Sequence, residues 1–244
     1  MTTESVSEQR DTTYLDTMFD HIYVLNLDRR GDRWRNTKSR IANLVFDFSN
    51  NVTRFSATDG QDNGVLEAWR RLPYFLPNSG VLAVLFSIQR ILIDARQKGW
   101  KRFLLLEDDV LFHLDFKQKW AQCQTQIPAK WKLLFLGNSM QSWRYKERCR
   151  YNPGFVTTKG SIPGAFAVGI DRSAIDDLWH GILHGKSPWD LAPLKYVNQK
   201  YPGQCILLYP QLCIAEVEDS NLRSRSMITK AKDCQWNLAN FYPQ

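Results

Sequence analysis

Short apolar runs alternate with longer amphipathic stretches along the first half of the chain. The runs His21–Leu27 and Val52–Phe55 are rich in β-branched and aromatic residues, which is typical of buried strands. The stretch Trp34–Val45 between them places its apolar residues on one face of a helix. Strands that alternate with helices in this way predict an α/β fold with a mostly parallel central sheet flanked by helices.

The pattern predicts its clearest helix between Asn78 and Gly99. Asn78 or Ser79 can cap the first turn, and Gly99 is suited to end the last one. Apolar residues recur between them at intervals of three or four positions, at Val81, Leu85, Ile88, Leu92 and Ala95. The other predicted elements are strands at Phe103–Leu106, Lys132–Leu136, Ala165–Ile170 and Cys205–Tyr209, and helices after Asp171 and over Pro188–Tyr201.

The ends of the chain differ from this regular middle. Residues 1–19 are rich in Thr, Ser and charged residues, and we expect them to form a mobile tail. We expect residues 20–244 to form a single domain, because no repeat or low-complexity linker interrupts them. Beyond about residue 210 the pattern predicts loops and short helices that return to the domain.

Composition and charge narrow the range of functions. Of 244 residues, 43% are hydrophobic and 13% aromatic, which excludes a disordered protein. The formal net charge of +7 attracts anionic partners such as nucleoside diphosphates, acidic membrane surfaces and nucleic acid. No dense Lys/Arg run with interleaved aromatic residues occurs, so we do not expect nucleic acid as a partner.

Cysteine usage and hydropathy indicate the compartment. The five cysteines form no CxxC pair, which favours free thiols in a reducing environment. The first twenty residues are polar, and the longest apolar stretch, Val81–Phe86, is too short to span a bilayer. We therefore expect a soluble cytoplasmic protein, with peripheral membrane association left open.

Three carboxylates, Glu107, Asp108 and Asp109, directly follow the predicted strand Phe103–Leu106. Ligands of open α/β sheets bind at the carboxyl ends of the strands. A divalent ion such as Mn²⁺ or Mg²⁺ would relieve the repulsion among these acids and bridge them to a diphosphate. A solvated loop whose acids cap the next helix is an equally good interpretation of the pattern alone.

Two other polar segments follow predicted strands. Asn26, Arg29 and Arg33 come after the first strand, and guanidinium groups there could bind a diphosphate. Asp59 precedes Gly60 after the second strand and could accept hydrogen bonds from a base or ribose. Taken singly, the first segment is better explained as a charged surface loop, and the second is only a turn.

Together, and in this order, the three segments resemble glycosyltransferase family 25, which includes lipooligosaccharide galactosyl- and glucosyltransferases and procollagen galactosyltransferases. The resemblance runs from about Ile22 to Ser220. The segments that carry it are Val24–Arg30 with Asp32-Arg33, Phe55–Gly60, Gly80–Ala83, Leu104–Val110, Gly164–Ala167 and Pro188–Asp190.

The resemblance implies a GT-A-like nucleotide-sugar-binding sandwich and an inverting, metal-dependent transfer of a hexose to a hydroxyl of a glycan or glycoconjugate. It favours a uridine diphosphate sugar as donor and Mn²⁺ or Mg²⁺ as cofactor. Glu107 and Asp109 would hold the ion. The residues expected to contact the donor are Asn26, Arg29, Arg33, Asp59 and Asp108. Apart from the resemblance, Arg223 in the carboxyl-terminal segment is a weaker candidate, which could close over the phosphates or simply be solvated.

Such a transfer needs a carboxylate general base near the acceptor hydroxyl. We predict Asp190, which follows Trp189, an aromatic residue able to stack on a sugar, and we take Glu216 as the second candidate. A carboxylate at a helix start is the structural alternative for Asp190.

The chain also departs from the family pattern. The family usually has Ser-His where this chain has Val84-Leu85. This departure keeps open a catalytically silent binding module on the same fold, and a metal-dependent phosphohydrolase is a further alternative. His180 and His184 have the spacing of paired metal ligands, but their neighbours indicate an ordinary amphipathic helix.

Overall fold

The computed structural model describes residues 13–139, 154–157, 160–216 and 226–242. Helices and strands alternate along this part of the chain as the hydrophobic pattern predicts. In chain order the elements are β1 (His21–Asn26), α1 (Gly31–Ile41), α2 (Phe48–Asn51), β2 (Val52–Ser56), α3 (Asn63–Arg70), α4 (Ser79–Lys98), β3 (Arg102–Glu107), β4 (Val110–Phe112), α5 (Phe116–Gln124), β5 (Leu133–Phe135), β6 (Gly154–Thr157), β7 (Ala167–Asp171), α6 (Ile175–Gly185), α7 (Ala192–Lys200), β8 (Cys205–Tyr209), β9 (Cys213–Ala215) and α8 (Met227–Cys234).

Seven of these strands form one sheet in the order β2-β1-β3-β7-β5-β8-β6. The pairs β1–β2, β1–β3 and β5–β8 are parallel, whereas β7 is antiparallel to β3 and β5, and β6 is antiparallel to β8. Five strands therefore run in one direction and two in the other. The predicted α/β fold with a mostly parallel sheet is confirmed, and the arrangement is compatible with a GT-A-like sandwich.

Both faces of the sheet are covered, because successive side chains of a strand point to opposite faces. In β3, Leu104 and Leu106 belong to the apolar cluster that includes side chains of α1 and α5. Phe103 and Leu105 belong to the cluster on the other face, which includes side chains of α4, α6 and α7. Strands buried on both faces explain why β1 and β3 are continuous apolar runs.

Helix α4 forms as the sequence predicts. The side chain of Asn78 accepts a hydrogen bond from the backbone N–H of Val81, which caps the first turn. Gly99 ends the helix in the left-handed region, with φ of 76°. This helix matters for the site, because its N-terminus lies beside the carboxyl ends of the strands.

Other element boundaries differ from the predictions. Leu15 and Phe19 fall within the predicted tail, yet both are fully buried, and Phe19 stacks on Trp120. The packed part of the described chain therefore begins before residue 20. Helix α7 begins at Ala192 and not just after Pro188, so Pro188–Asp190 lie in the preceding turn.

The short sheet formed by β4 and β9 is absent from the sequence prediction. It pairs Val110 with Ala215 across more than a hundred residues, and each strand has three residues. A strand of this length has no periodicity to detect, and its partner is set by tertiary packing. The pairing brings the segment around Glu216 back to Glu107, Asp108 and Asp109, which we call the acidic turn.

The described cysteines Cys123, Cys205, Cys213 and Cys234 are buried free thiols, as the sequence predicts. Burial raises the pKa of the Cys123 thiol to about 11. No helix within the described residues is both long enough and apolar enough to cross a membrane.

Candidate active site

A cavity of about 390 Å³ opens at the carboxyl ends of β1, β2 and β3, beside the first turns of α4. It brings together six of the residues that the sequence predicts for a donor and metal site. These are Arg29, Arg33, Asp59, Glu107, Asp108 and Asp109. We call this cavity the strand-end pocket. Segments that lie far apart in the sequence thus meet where open α/β sheets bind ligands.

Asp108 is held by three residues from two elements, α1 and β1. Its Oδ1 accepts a hydrogen bond from Arg33 Nη1 at 3.0 Å, and its Oδ2 accepts one from Asn26 Nδ2 at 2.6 Å. The backbone carbonyl oxygen of Asp108 accepts a further bond from Thr37 Oγ1 at 2.6 Å. The Asp108 carboxylate is therefore occupied by the protein itself, and it fixes the acidic turn to β1 and α1.

This arrangement changes the interpretation of Asn26, for which the sequence predicted a donor contact. Asn26 is 1% exposed and does not line the strand-end pocket. Its side chain donates to Asp108 and to the carbonyl of Arg30, and it accepts from Arg54 Nε at 2.7 Å. Asn26 thus supports the pocket from behind.

Glu107 and Asp109 flank Asp108 and line the pocket floor. Burial, together with repulsion from Asp109, Asp190 and Asp108, raises the pKa of Glu107 well above its usual value. Burial also raises the pKa of Asp109 to about 7, although Arg33, 3.8 Å away, opposes this shift. The turn therefore places acidic groups where water alone stabilises their charge poorly.

The fit of a metal ion can be tested on these two carboxylates. Among the described residues, no set of three or more His, Cys, Asp and Glu side chains converges to hold a metal. Asp109 Oδ1, however, is buried and has no hydrogen-bond partner in the described structure. Mg²⁺ is commonly bound by one or two carboxylates together with substrate phosphates and water. Glu107 and Asp109 fit such an incomplete site, and they do not fit an all-protein cage.

Arg29 and Asp59 form an ion pair on the rim of the pocket. Arg29 Nε donates to Asp59 Oδ2 at 2.7 Å, and this bond lowers the pKa of Asp59. Asp59 Oδ1 also accepts from the backbone N–H of Gln61 at 2.9 Å. The pair joins the loop after β1 to the turn after β2, and both side chains remain partly exposed.

The first residues of α4 form part of the pocket wall, which the sequence pattern did not predict. Asn78, Ser79 and Gly80 line it, and a Cβ atom on Gly60 would lie 2.6 Å from the Cα of Gly80. The first N–H groups of a helix have no partner within the helix, and they favour an anion. The cap at Asn78 could be predicted from the sequence, but its closeness to Gly60 could not.

Ser87 fixes the same wall about two turns further along α4. Its hydroxyl accepts from the backbone N–H of Thr58 at 2.9 Å and donates to the carbonyl of Ala83 at 2.7 Å. The segment after β2 is therefore attached to the helix at both Gly60 and Thr58. This attachment keeps Asp59 at the rim of the pocket.

The two predicted general bases lie outside the pocket lining, with Asp190 near Glu107 and Glu216 near Asp109. Asp190 Oδ2 accepts from the backbone N–H of Gly164 at 3.1 Å, and its charge contributes to the raised pKa of Glu107. Glu216 Oε2 accepts from Arg40 Nη2 at 2.8 Å. The carboxylate of Glu216 is thus already paired with a cation.

Three other predictions concern Trp189, the pair His180 and His184, and Arg223. Trp189 is 3% exposed and belongs to the core, so its ring offers no face to a sugar. The rings of His180 and His184 lie 4.4 Å apart, but no third metal-ligating side chain joins them among the described residues. Arg223 lies outside the described residues.

The positions at which the family usually has Ser-His differ in environment. Val84 lines the strand-end pocket, whereas Leu85 is 3% exposed and packs in the core. At the first position an apolar side chain therefore lies in the pocket wall, and at the second the side chain packs between α4 and the sheet.

Comparison with curated proteins finds similarity to procollagen galactosyltransferase 2 of Mus musculus. The two sequences are 29% identical over 153 residues, which cover 55% of this chain and 23% of the mouse protein. No family model matches the chain. The chain thus spans less than a quarter of that relative, and the similarity indicates a remote galactosyltransferase-like relationship.

Proposed function

We propose that this protein is a glycosyltransferase that moves a hexose from a nucleoside-diphosphate sugar to a hydroxyl group of a glycan or glycoconjugate. The observation that carries the proposal is the strand-end pocket, in which Glu107 and Asp109 face the N-terminus of α4 across one cavity. An acidic wall attracts a divalent ion, and a helix N-terminus attracts phosphate. The similarity to a galactosyltransferase supports the same class of reaction.

The chain offers a position for each part of the donor. Ser79 and Gly80 begin α4 and present backbone N–H groups to the diphosphate. Arg29 would turn from Asp59 towards the phosphates, which leaves Asp59 to accept hydrogen bonds from the ribose or the base. The resemblance to family 25 favours uridine as the base, and the apolar side chain of Val84 would pack against a flat ring.

Glu107 and Asp109 are the residues that would hold Mn²⁺ or Mg²⁺. When bound, the ion would neutralise charge on the departing diphosphate. Asp108 acts indirectly, because Arg33, Asn26 and Thr37 hold it and thereby fix the carboxylates on either side. Arg33 is accordingly a positioning residue, and the direct phosphate contact that the sequence predicted is not needed.

Asp190 is our choice of general base for the inverting reaction. Its bond from the N–H of Gly164 leaves the second carboxylate oxygen available to accept the proton of the acceptor hydroxyl. Glu216 is the weaker choice, because its carboxylate is already paired with Arg40. The acceptor would approach the acidic turn from the side of Asp190.

A screen of nucleotide sugars tests this proposal. The protein is incubated with each donor and Mn²⁺, and release of the nucleoside diphosphate is measured with and without EDTA. We expect one donor, a uridine diphosphate hexose, to be consumed in the presence of Mn²⁺ and spared with EDTA. Release of inorganic phosphate would instead indicate a phosphohydrolase.

A catalytically silent binding module is the second candidate. The observation that favours it is the apolar side chain of Val84 in the pocket wall, at a position where the family that the chain resembles usually has a polar residue. Such a module would bind a nucleoside diphosphate or a glycan without consuming any donor. Binding without turnover across the whole donor screen would select this alternative.

A further inference from the structure

A second, smaller cavity of about 160 Å³ lies beyond the carboxyl end of β8. Tyr209, Trp236 and four side-chain amides line it, those of Gln211, Gln235, Asn237 and Asn240. We call it the amide cavity. None of the described residues that line it carries a charge, although the chain has 32 basic and 25 acidic residues.

Three of these amides are not used by the protein itself. Among the described residues, the side chains of Gln211, Asn237 and Asn240 make no hydrogen bond, and Gln211 Oε1 is buried without a partner. Asn237 precedes a 3-10 turn at Leu238–Asn240, yet its side chain does not cap that turn. Asn237 and Asn240 therefore keep donors and acceptors with which ligand hydroxyl groups can form hydrogen bonds.

The chemistry of the lining selects an uncharged, hydroxyl-rich ligand. Each side-chain amide offers both donors and an acceptor, which suits neighbouring hydroxyl groups that also donate and accept. The absence of a cation among the described lining residues disfavours a phosphate or a carboxylate. The half-buried ring of Tyr209 offers an apolar surface for the C–H groups of a sugar ring.

The size of the amide cavity limits the ligand to one small unit. Pockets for drug-sized ligands have volumes of about 300–1,000 Å³, well above the size of this cavity. An extended peptide would need a groove several residues long. A single sugar residue, attached to a longer glycan outside the cavity, meets both the size and the hydrogen-bonding requirement.

The position of the cavity connects it to the strand-end pocket. Strands β3 and β8 run in the same direction, so their carboxyl ends lie at the same edge of the sheet, with β7 and β5 between them. Three strand spacings correspond to about 14 Å. A glycan of a few residues can cover this distance.

The packing of Trp236 joins the two sites. Its Nε1 donates to the carbonyl of Asn138 at 3.0 Å, and its ring contacts Phe166 edge-on at 6.1 Å. The carbonyl of Phe166 in turn accepts from the backbone N–H of Glu107 at 2.9 Å. A single residue, Phe166, therefore connects Trp236 in the wall of the amide cavity to Glu107 in the acidic turn.

We propose that the amide cavity binds one uncharged sugar residue of the acceptor glycan, at a distance from the hydroxyl that receives the new sugar. Its role as part of an acceptor site rests on the proposed transferase function. The proposal that the cavity binds an uncharged sugar depends only on the residues that line it, and not on the transferase function.

Saturation-transfer NMR on the full chain tests the inference, with the methyl glycosides of galactose, glucose and mannose as probes. We expect saturation of the ring protons of at least one probe. Asn237→Ala and Asn240→Ala should each weaken its binding by about 2- to 10-fold, the effect of losing one neutral hydrogen bond. Gln199→Ala, which removes an exposed amide on α7, should leave binding unchanged.

The same samples separate this inference from the proposed function. Excess uridine diphosphate with Mn²⁺ should bind without displacing the sugar. Absence of saturation for all three probes, equal binding by the amide variants, or displacement by the nucleotide would overturn the sugar site. Sugar binding without nucleotide binding would support the cavity and contradict its assignment to an acceptor.

Discussion

Arg33 Nη1 lies 3.0 Å from Oδ1 of Asp108, and both side chains are about nine-tenths buried. This pair connects α1, which follows β1, to the acidic turn that follows β3. Asn26 donates to the other oxygen of Asp108, so the carboxylate cannot turn towards the strand-end pocket without breaking two bonds. The middle acid of the three is thus a structural anchor for its neighbours.

The first prediction concerns this anchor. Arg33→Ala leaves the Asp108 carboxylate buried with its charge uncompensated, and we expect a loss of about 3–5 kcal/mol in the free energy of unfolding. Arg35→Ala removes an exposed arginine from the same helix and should cost no more than about 0.5 kcal/mol. Chemical denaturation measures both. Equal stability of the two variants would show that the Arg33–Asp108 pair contributes nothing.

The contact between the turn after β2 and α4 gives a second prediction. In Gly60→Ala the new methyl group would meet backbone atoms of Gly80 at 2.6 and 2.7 Å, so the turn must move away from the helix. We expect a loss of about 1–3 kcal/mol in stability and weaker nucleotide binding. In Gly64→Ala the methyl group meets no atom within 4 Å, and stability should rise by at most about 1 kcal/mol. If both variants bind nucleotide as the parent does, Gly60 does not shape the pocket.

The pH dependence of stability should reflect His21. Burial and the charge of Lys98, opposed by Asp94, lower the pKa of His21 from 6.5 to about 4. Between these values the unfolded chain binds a proton that the folded chain does not. The contribution of the neutral His21 to the free energy of unfolding is therefore fully present above pH 6.5 and is lost as the pH decreases towards 4. The contribution of His21 to this loss is about 1–3 kcal/mol.

His21→Gln tests this assignment, because glutamine does not titrate. The free energy of unfolding of the variant should fall less between pH 7 and pH 4.5 than that of the parent. His184→Gln removes an exposed histidine and should follow the parent curve. Parallel curves for His21→Gln and the parent would exclude His21 as the group responsible.

The choice of general base gives a fourth prediction. Asp190→Asn can still accept the bond from the N–H of Gly164 but cannot take a proton. We expect transfer to slow by about 10²–10⁴-fold while donor affinity is retained. Glu216→Gln removes the charge opposite Arg40 and should reduce transfer much less. A rate loss in Glu216→Gln with normal transfer by Asp190→Asn would reverse the two roles.

The sequence predicted the elements whose signal is local. The buried strand before Glu107 and the capped helix that begins after Asn78 both follow from apolar spacing and capping residues. The sequence also predicted that Arg29, Asp59 and Asp109 lie close together, because strands that run in the same direction bring their carboxyl ends to one edge of the sheet.

The sequence did not reveal which polar residues the protein uses for its own support. Asn26 is the last residue of β1 and Asp109 follows β3, and both strands lead to the pocket, yet only Asp109 lines it. The Asn26 side chain instead forms hydrogen bonds with Arg54, Asp108 and the carbonyl of Arg30. Leu15 was missed for a related reason, since one apolar residue within a polar segment has no period to detect.

Calorimetric titration with uridine diphosphate tests the central claim most directly. We expect the parent chain to bind uridine diphosphate more tightly with Mn²⁺ than with EDTA, because Glu107 and Asp109 would hold an ion that also contacts the diphosphate. In Asp109→Asn, the affinity measured with Mn²⁺ should fall towards the value measured with EDTA. Arg35→Ala should keep the full effect of the ion. Equal affinity with Mn²⁺ and with EDTA in the parent chain, or an undiminished effect of Mn²⁺ in Asp109→Asn, would contradict a metal-assisted nucleotide site at the acidic turn.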